Sequence, residues 1–204
     1  MILDPKKLSP KEVYHLLTGA IVPRPIAIVT TMNADGKVNT APYSFFNAVT
    51  SSPPLLMISA ERKNGAMKHT AENILRTKEF VVNIVTERLL GSMTAASADI
   101  PPEVAELEQG TLLYAPSTSL KTPRIQEAPV SLECILHRHL ELGDEPADVI
   151  IGEIVRFHVS DEVYRDGMID PHVLRPIARM GGNYYAEIEL LFESKRFRIA
   201  KKTP

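Results

Sequence analysis

The chain has 204 residues, 44 % of them hydrophobic, which is enough to bury the core of one domain. Its 23 lysines and arginines stand against 25 acidic residues, a net charge of −2 that offers no basic field for nucleic acid and includes no acidic tail. A single cysteine, Cys134, excludes an internal disulfide and a thiolate metal cluster, and its alternating surroundings mark it as a strand residue with no redox task.

Nowhere does the sequence run to about 18 consecutive apolar residues, and MILDPKKLSP lacks the apolar region of a secretion signal, so a cytoplasmic protein without a membrane partner is expected. The first predicted element is a short helix in SPKEVYHLLTG, with Ser9 as N-cap, Pro10 in the first turn, Glu12 at the third position and Gly19 just past the end. Its expected task is structural, as a lid on one end of a sheet. IAIVTT then reads as a buried strand, and Asp35-Gly36 supplies the positive φ angles of a hairpin turn. VNTAPYSFFNAVTS returns, and Pro42 within it predicts an edge or a bulge that leaves backbone amides free. LLMIS is the third strand of this region. Asn64-Gly65 makes a turn before a helix whose apolar face carries Met67, Ala71, Ile74 and Leu75. EFVVNIV is a strand, TERLLGSMTAASA a helix capped by Thr86, and EVAELEQG a short helix ending at Gly110. TSLKTPRIQEAP reads as an irregular crossing. VSLECILHRHLEL and ADVIIGEIVRFHVS form a long hairpin, with Val130, Leu132, Cys134 and Leu136 on one side. The stretch from Tyr164 onward has many turn formers and little periodicity. No repeat or linker divides the chain, so one domain over residues 1–204 is expected, its core about residues 10–190. Six or seven strands with two or three helices predict a mainly β fold, an antiparallel barrel closed or nearly so, because closure removes exposed edges.

The sequence has no GxSxG elbow, HExxH, Walker loop or strand-borne GxGxxG. His137 and His139 share a strand face, but no third ligand has a fitting spacing, so they read as a solvated face and no metal site is assigned; His158 reads the same way. A more suggestive cluster is Ser59 at a strand end, then Arg62, Lys63 and a turn, then Lys68, His69 and Thr70 opening a helix. A helix start presents unpaired N–H groups and partial positive charge, which suits a phosphate. Two readings stand. One is a solvated basic loop. The other joins this start to the bulged strand and to Phe45-Phe46 as a site for a phosphorylated flat ring such as FMN.

Several segments then resemble one family in order and spacing. The flavin reductase-like proteins of the FMN-binding split-barrel type show RP-[IV]-A, N-x-AP-x-S-x-F, a PP pair, K-D-T-x-x-N-I, an EFVVN-type strand and P-[VI]-A-R-x-GG-x-x-Y. Here these are Arg24–Ala27, Asn39–Phe46, Pro53-Pro54, Lys68–Ile74, Glu79–Asn83 and Pro176–Tyr184. His69 departs from the pattern, standing where the family commonly has Asp.

The resemblance implies an antiparallel split β-barrel that binds FMN, and an NAD(P)H-dependent flavin reductase passing hydride to flavin N5. It implies that Ser44, Phe45, Phe46 and Asn47 line the isoalloxazine, largely through backbone groups, and that Arg24 and Pro25 shape the pocket mouth or hold the chain that reaches the ring. Ser59, Lys68 and Thr70 would take the phosphate, with Asn73 supporting the turn. Arg179, Gly182 and Tyr184 would approach the open face of the ring, from the same subunit or from its partner. NADH or NADPH is the implied co-substrate, a homodimer the implied assembly, and a partner oxygenase or other electron acceptor the implied recipient. Two alternatives are a flavin-binding electron carrier without nicotinamide activity and a split-barrel scaffold for another anionic ligand. No acid–base side chain is assigned, because a flavin carries the redox chemistry and leaves positioning and electrostatics to the protein.

Overall fold

A computed structural model describes residues 1–62, 64–96, 112–188 and 190–192. Helix α1 (Pro10–Ala20) starts as its sequence dictates. The Ser9 hydroxyl accepts from the Glu12 amide at 3.3 Å and the Glu12 carboxylate accepts from the Ser9 amide at 2.8 Å, a reciprocal capping box. Gly19, expected beyond the helix, lies inside it. The C-terminal hairpin comes close to it: a β-carbon on Gly181 would stand 3.2 Å from the Gly19 Cα, whereas one on Gly19 would meet nothing within 4 Å.

Strands β1 (Arg24–Pro25), β2 (Ala27–Met32) and β3 (Val38–Tyr43) follow. In the β2–β3 turn only Gly36 takes a positive φ, and Asn33 rather than Asp35 organises the loop, its side-chain oxygen accepting from the amides of Asp35 and Lys37. Pro42 does not break β3. It pairs with Ile28 on a sheet edge, where a missing N–H is tolerated. The break comes two residues later. After Tyr43, which pairs with Ala27, the chain leaves β2, and from Phe46 it runs as β4 (Phe46–Ser51) against β5 (Pro54–Glu61).

Helix α2 (His69–Thr77) buries Ala71 and Ile74 and ends at Lys78 in the left-handed conformation. Strand β6 (Glu79–Ile84) and helix α3 (Glu87–Ala96) come next, α3 starting beside Thr86, whose carbonyl accepts from the Leu89 amide. The expected helix in EVAELEQG lies outside the described residues. Short strands β7 (Tyr114–Ala115) and β8 (Arg124–Ile125) pair with each other, so the crossing is partly regular. The hairpin of β9 (Val130–Leu142) and β10 (Ala147–Val159) is the longest pairing. The last elements are β11 (Tyr164–Arg165), β12 (Met168–Ile169), α4 (Pro171–Leu174), β13 (Ile177–Arg179) and β14 (Tyr185–Glu187).

Seven antiparallel strands form one sheet in the order β3-β2-β6-β9-β10-β5-β4. Its two edge strands, β3 and β4, are consecutive in the chain, so the sheet curls until they adjoin without pairing. This is a split β-barrel. Phe80, Ile58 and Ile150 are fully buried in its interior, and a second apolar cluster of Ile28, Val85, Leu89 and Ile125 packs α3 outside it. Simple alternation fails at the start of β9, where Val130 to Cys134 are all buried. The loop before β8 covers the second face, held by the Glu133 carboxylate, which accepts from the amides of Thr118 and Ser119 at 2.6 and 2.7 Å. A small sheet, β1-β13-β14, sets the C-terminal hairpin against the strand that opens the barrel.

Candidate functional site

The gap between β3 and β4 is where the sequence-predicted residues gather, in two adjoining places. In the first, Ser44 and Phe45 join the sheet edges. The Phe45 carbonyl accepts from the Ser59 amide at 2.8 Å, while neither the Ser44 nor the Phe45 amide donates to a partner among the described residues. Ser59 therefore belongs to this junction through its backbone, and it also pairs with Val149. Phe46 packs partly on the barrel core, and the Asn47 side-chain oxygen accepts from the Ala48 amide.

Close by is the start of α2. Lys68 is its N-cap residue, extended at φ −75° and ψ 145°, and no side chain caps the helix. The first-turn amides thus lack intrahelical acceptors and carry the positive end of the helix dipole. The exposed Lys68 ammonium stands 5.5 Å from the centroid of the Tyr43 ring, so the helix start lies against the residue that precedes the break. His69 is exposed and its Nδ1 lies 3.1 Å from Glu72, a local helix pair. Thr70 and Asn73 face inward instead. The buried Thr70 hydroxyl accepts from Asn39 at 3.1 Å, and the Asn73 amide donates to Thr31 at 3.0 Å. Burial raises the Tyr43 phenol to about 12, and its hydroxyl, near Thr70, has no hydrogen-bond partner among the described residues.

The second place is a cleft of about 400 Å³ between α1, the end of β3 and the β13–β14 hairpin. Arg24, Ser44, Arg179 and Gly182 line it, and Pro25 follows Arg24 on the exposed side of β1. Arg24 is almost fully buried. Its guanidinium donates to the carbonyls of Thr18 and Ile21 at 2.6 Å and of Met180 at 3.0 Å, and its Nε lies 3.5 Å from the Ser44 hydroxyl. It therefore shapes the cleft by clamping α1 to the C-terminal hairpin. Burial lowers its pKa; Tyr14 acts against this and the charge of Arg179 adds to it.

Tyr184 is 76 % exposed and does not line the cleft, whereas Tyr185 does. Counting GG-x-x-Y from Gly181-Gly182 reaches Tyr185, so the spacing itself carried that signal. Tyr14, His15 and Thr18 also line the cleft, and α1 is thus a wall as well as a lid. Nothing in a helix pattern announced it.

On the long hairpin His137 is exposed, but His139 and His158 are not simply solvated. His139 Nε2 lies 2.9 Å from the fully buried Asp148, and His158 contacts the equally buried Glu133. His139, Glu141 and Asp148 converge, but the Arg62 guanidinium already bridges both carboxylates, so the group is an ion-pair network with its cation in place.

Among the described residues no helix is long and apolar enough to cross a membrane. Comparison with known proteins agrees with the geometry. A protein of Halalkalibacterium halodurans, BH2278, is 41 % identical over 98 % of this chain and 99 % of its own. The crystal structure of nitrilotriacetate monooxygenase component B from Bacillus cereus superposes with a TM-score of 0.89 at 38 % identity, covering 95 % of this chain and 98 % of that one. The 2-nitrobenzoate 2-nitroreductase NbaA of Pseudomonas fluorescens superposes at 0.84 with 30 % identity, covering 100 % and 98 %. The flavin reductase like domain matches residues 19–192, and with its split barrel the chain belongs to the flavin reductase-like family.

Proposed function

We propose that the protein is an FMN-dependent oxidoreductase that reduces flavin with NADH or NADPH. The observation that carries this is the adjacency of two unpaired sets of donors. The Ser44 and Phe45 amides lie at the barrel's split, and one residue away the Tyr43 ring meets Lys68 at the uncapped start of α2. A ligand with an electron-poor ring at one end and a phosphate at the other satisfies both. FMN, when bound, supplies the chemistry, with its N5 as hydride acceptor.

The chain's own groups have separable tasks in this reading. Lys68 and the first-turn amides of α2 hold the phosphate by charge and by hydrogen bonds. The amides at the split donate to the polar edge of the ring, where they stabilise negative charge once the ring is reduced. Thr70 and Asn73, engaged with Asn39 and Thr31, fix the helix start. Arg24, through its three carbonyls, keeps Ser44 and the cleft in register. Likeness to a monooxygenase component B suggests that reduced flavin passes to a partner oxygenase, and family habit suggests a homodimer.

Titration of the protein with FMN, followed by visible absorbance and flavin fluorescence, tests binding. Oxidation of NADH and NADPH at 340 nm with added FMN then separates a reductase from a carrier that needs a protein donor. The proposal expects saturable FMN binding and turnover with at least one nicotinamide. Colourless protein that leaves flavin fluorescence unchanged would refute it, and binding without turnover would leave the carrier.

A further inference from the structure

In the cleft, Arg24 and Arg179 are direct cross-strand partners in the β1–β13 ladder. Like charges placed opposite one another weaken a ladder. None of the cleft's described lining residues is a carboxylate, so no acid within the lining offsets the pair. The two guanidiniums are also unequal. Arg24 is taken up by three carbonyls. Arg179 is stacked on the Tyr185 ring, with its Cζ 4.5 Å from the ring centroid, and is held by the Tyr185 hydroxyl and by the Gly182 carbonyl at 2.7 Å. These contacts use two of its five N–H groups and leave a flat, partly exposed fork fixed in orientation. Such a fork matches the two oxygens of a carboxylate.

The rest of the cleft is of a different nature. Ile26 and Met93, both buried, give it an apolar floor, and Tyr14 and Tyr185 give it aromatic walls. Its volume of about 400 Å³ is at the small end for ligand sites and too small to enclose a dinucleotide. A fixed cation above an apolar floor selects a ligand with a flat hydrophobic body and an anionic end. We propose that this cleft binds a small aromatic carboxylate, with the carboxylate on Arg179 and the ring over Ile26 and Met93. The site is next to Ser44 and thus next to the flavin of the reading above. Its position as the flavin's neighbour rests on that reading; the binding itself does not.

The test is isothermal titration of the flavin-free protein with benzoate, benzamide and inorganic phosphate, repeated with FMN bound. Benzoate is expected to bind, and benzamide, its neutral isostere, to bind about tenfold more weakly or not at all. Arg179→Gln should weaken benzoate about tenfold and abolish its preference over benzamide. The benzoate–benzamide comparison needs no variant, so it decides the matter even if Arg179→Gln misfolds. Benzoate binding no tighter than benzamide overturns the proposal, as does phosphate binding as tightly as benzoate when FMN already occupies the start of α2. Mutual exclusion of benzoate and FMN would assign the cleft to the flavin and likewise overturn it. Benzoate binding by a protein that ignores FMN would sustain this site and refute the flavin reading.

Discussion

A β-carbon placed on Gly152 would lie 2.4 Å from Cζ of Phe80. Gly152 sits where the β9–β10 register shifts, and Phe80 fills the barrel interior with no exposed surface. The aromatic ring thus occupies the space that any other residue at 152 would need. Gly152→Ala should cost about 1–3 kcal/mol of stability through overpacking. Phe80→Leu in the same chain should recover part of that loss, because it removes the ring atoms that clash. Urea midpoints of the two single variants and the double variant check this; strict additivity would show that the two sites are not coupled.

Lys78 closes α2 at φ 62° and ψ 17°, with its amide on the Ile74 carbonyl and its own carbonyl accepting from Leu136. A residue with a β-carbon is strained in this left-handed conformation. Lys78→Gly should therefore stabilise the protein by about 0.5–1 kcal/mol, the relief of strain exceeding the added freedom of the unfolded chain. Thermal unfolding should show a small rise in midpoint.

Much of the barrel was legible because its elements are local. The capping box at Ser9, the alternating runs of the long hairpin and the break between β3 and β4 are written within a few residues of one another. The position of that break was not legible at Pro42, because an edge strand tolerates a proline whose missing N–H needs no partner. What stayed hidden depends on distant contacts. Gly19 reads as a helix stop although the helix runs on to Ala20, and the approach of Gly181 to that turn has no local signal. The partners of the Arg24 clamp had no local signal, since one of its acceptors, Met180, lies 156 positions away. Glu133 sits in an alternating strand, and the distant loop it anchors turns its face inward. Thr70 is expected at the phosphate from its place at a helix start, and its further contact, accepting from Asn39 on the neighbouring strand, has no local signal.

That difference separates Lys68 from Thr70 experimentally. Lys68 is exposed and uncommitted to a cap, so Lys68→Ala should weaken FMN by about 1.5–3 kcal/mol while leaving stability nearly unchanged. Thr70→Ala should do the reverse, losing about 1–3 kcal/mol of stability as the buried Asn39 contact is broken, with a smaller effect on affinity. Flavin titration and thermal melts of both variants are needed. Equal effects of the two on affinity would place the Thr70 hydroxyl at the ligand.

Acid stability should depend on Asp148. Hydrogen bonds from Arg62 hold its carboxyl below the usual range; burial opposes them, and His139 adds to them. A carboxyl whose folded pKa is lowered binds fewer protons when folded than when unfolded. Its contribution is therefore complete above the unfolded value and is lost as the pH falls through the folded one. Urea midpoints should drop below about pH 4, and Asp148→Asn should flatten that limb while lowering stability at neutral pH. An unchanged acid limb in Asp148→Asn would assign the effect to other carboxylates.

The clamp on α1 gives the sharpest structural expectation. Thr18 is the only buried residue of that helix, and Leu16, Leu17 and Ile21 are about half exposed or more, so packing alone holds it weakly. Arg24 supplies what packing does not, joining the Thr18 and Ile21 carbonyls at the helix end to Met180 in the hairpin. A cation at a helix C-terminus also meets the negative end of its dipole. Arg24→Leu should leave those carbonyls without a donor and cost about 1–3 kcal/mol. Because the contacts are confined to one end of one helix, the loss should appear first as local opening. Hydrogen exchange of α1 amides should accelerate well before that of β6 or β9, whose protection comes from the barrel. Arg24→Lys should restore little, since a single ammonium lacks the planar fork that reaches carbonyls on both sides. Uniform acceleration across the sheet would instead make Arg24 part of the global fold and not a local clamp.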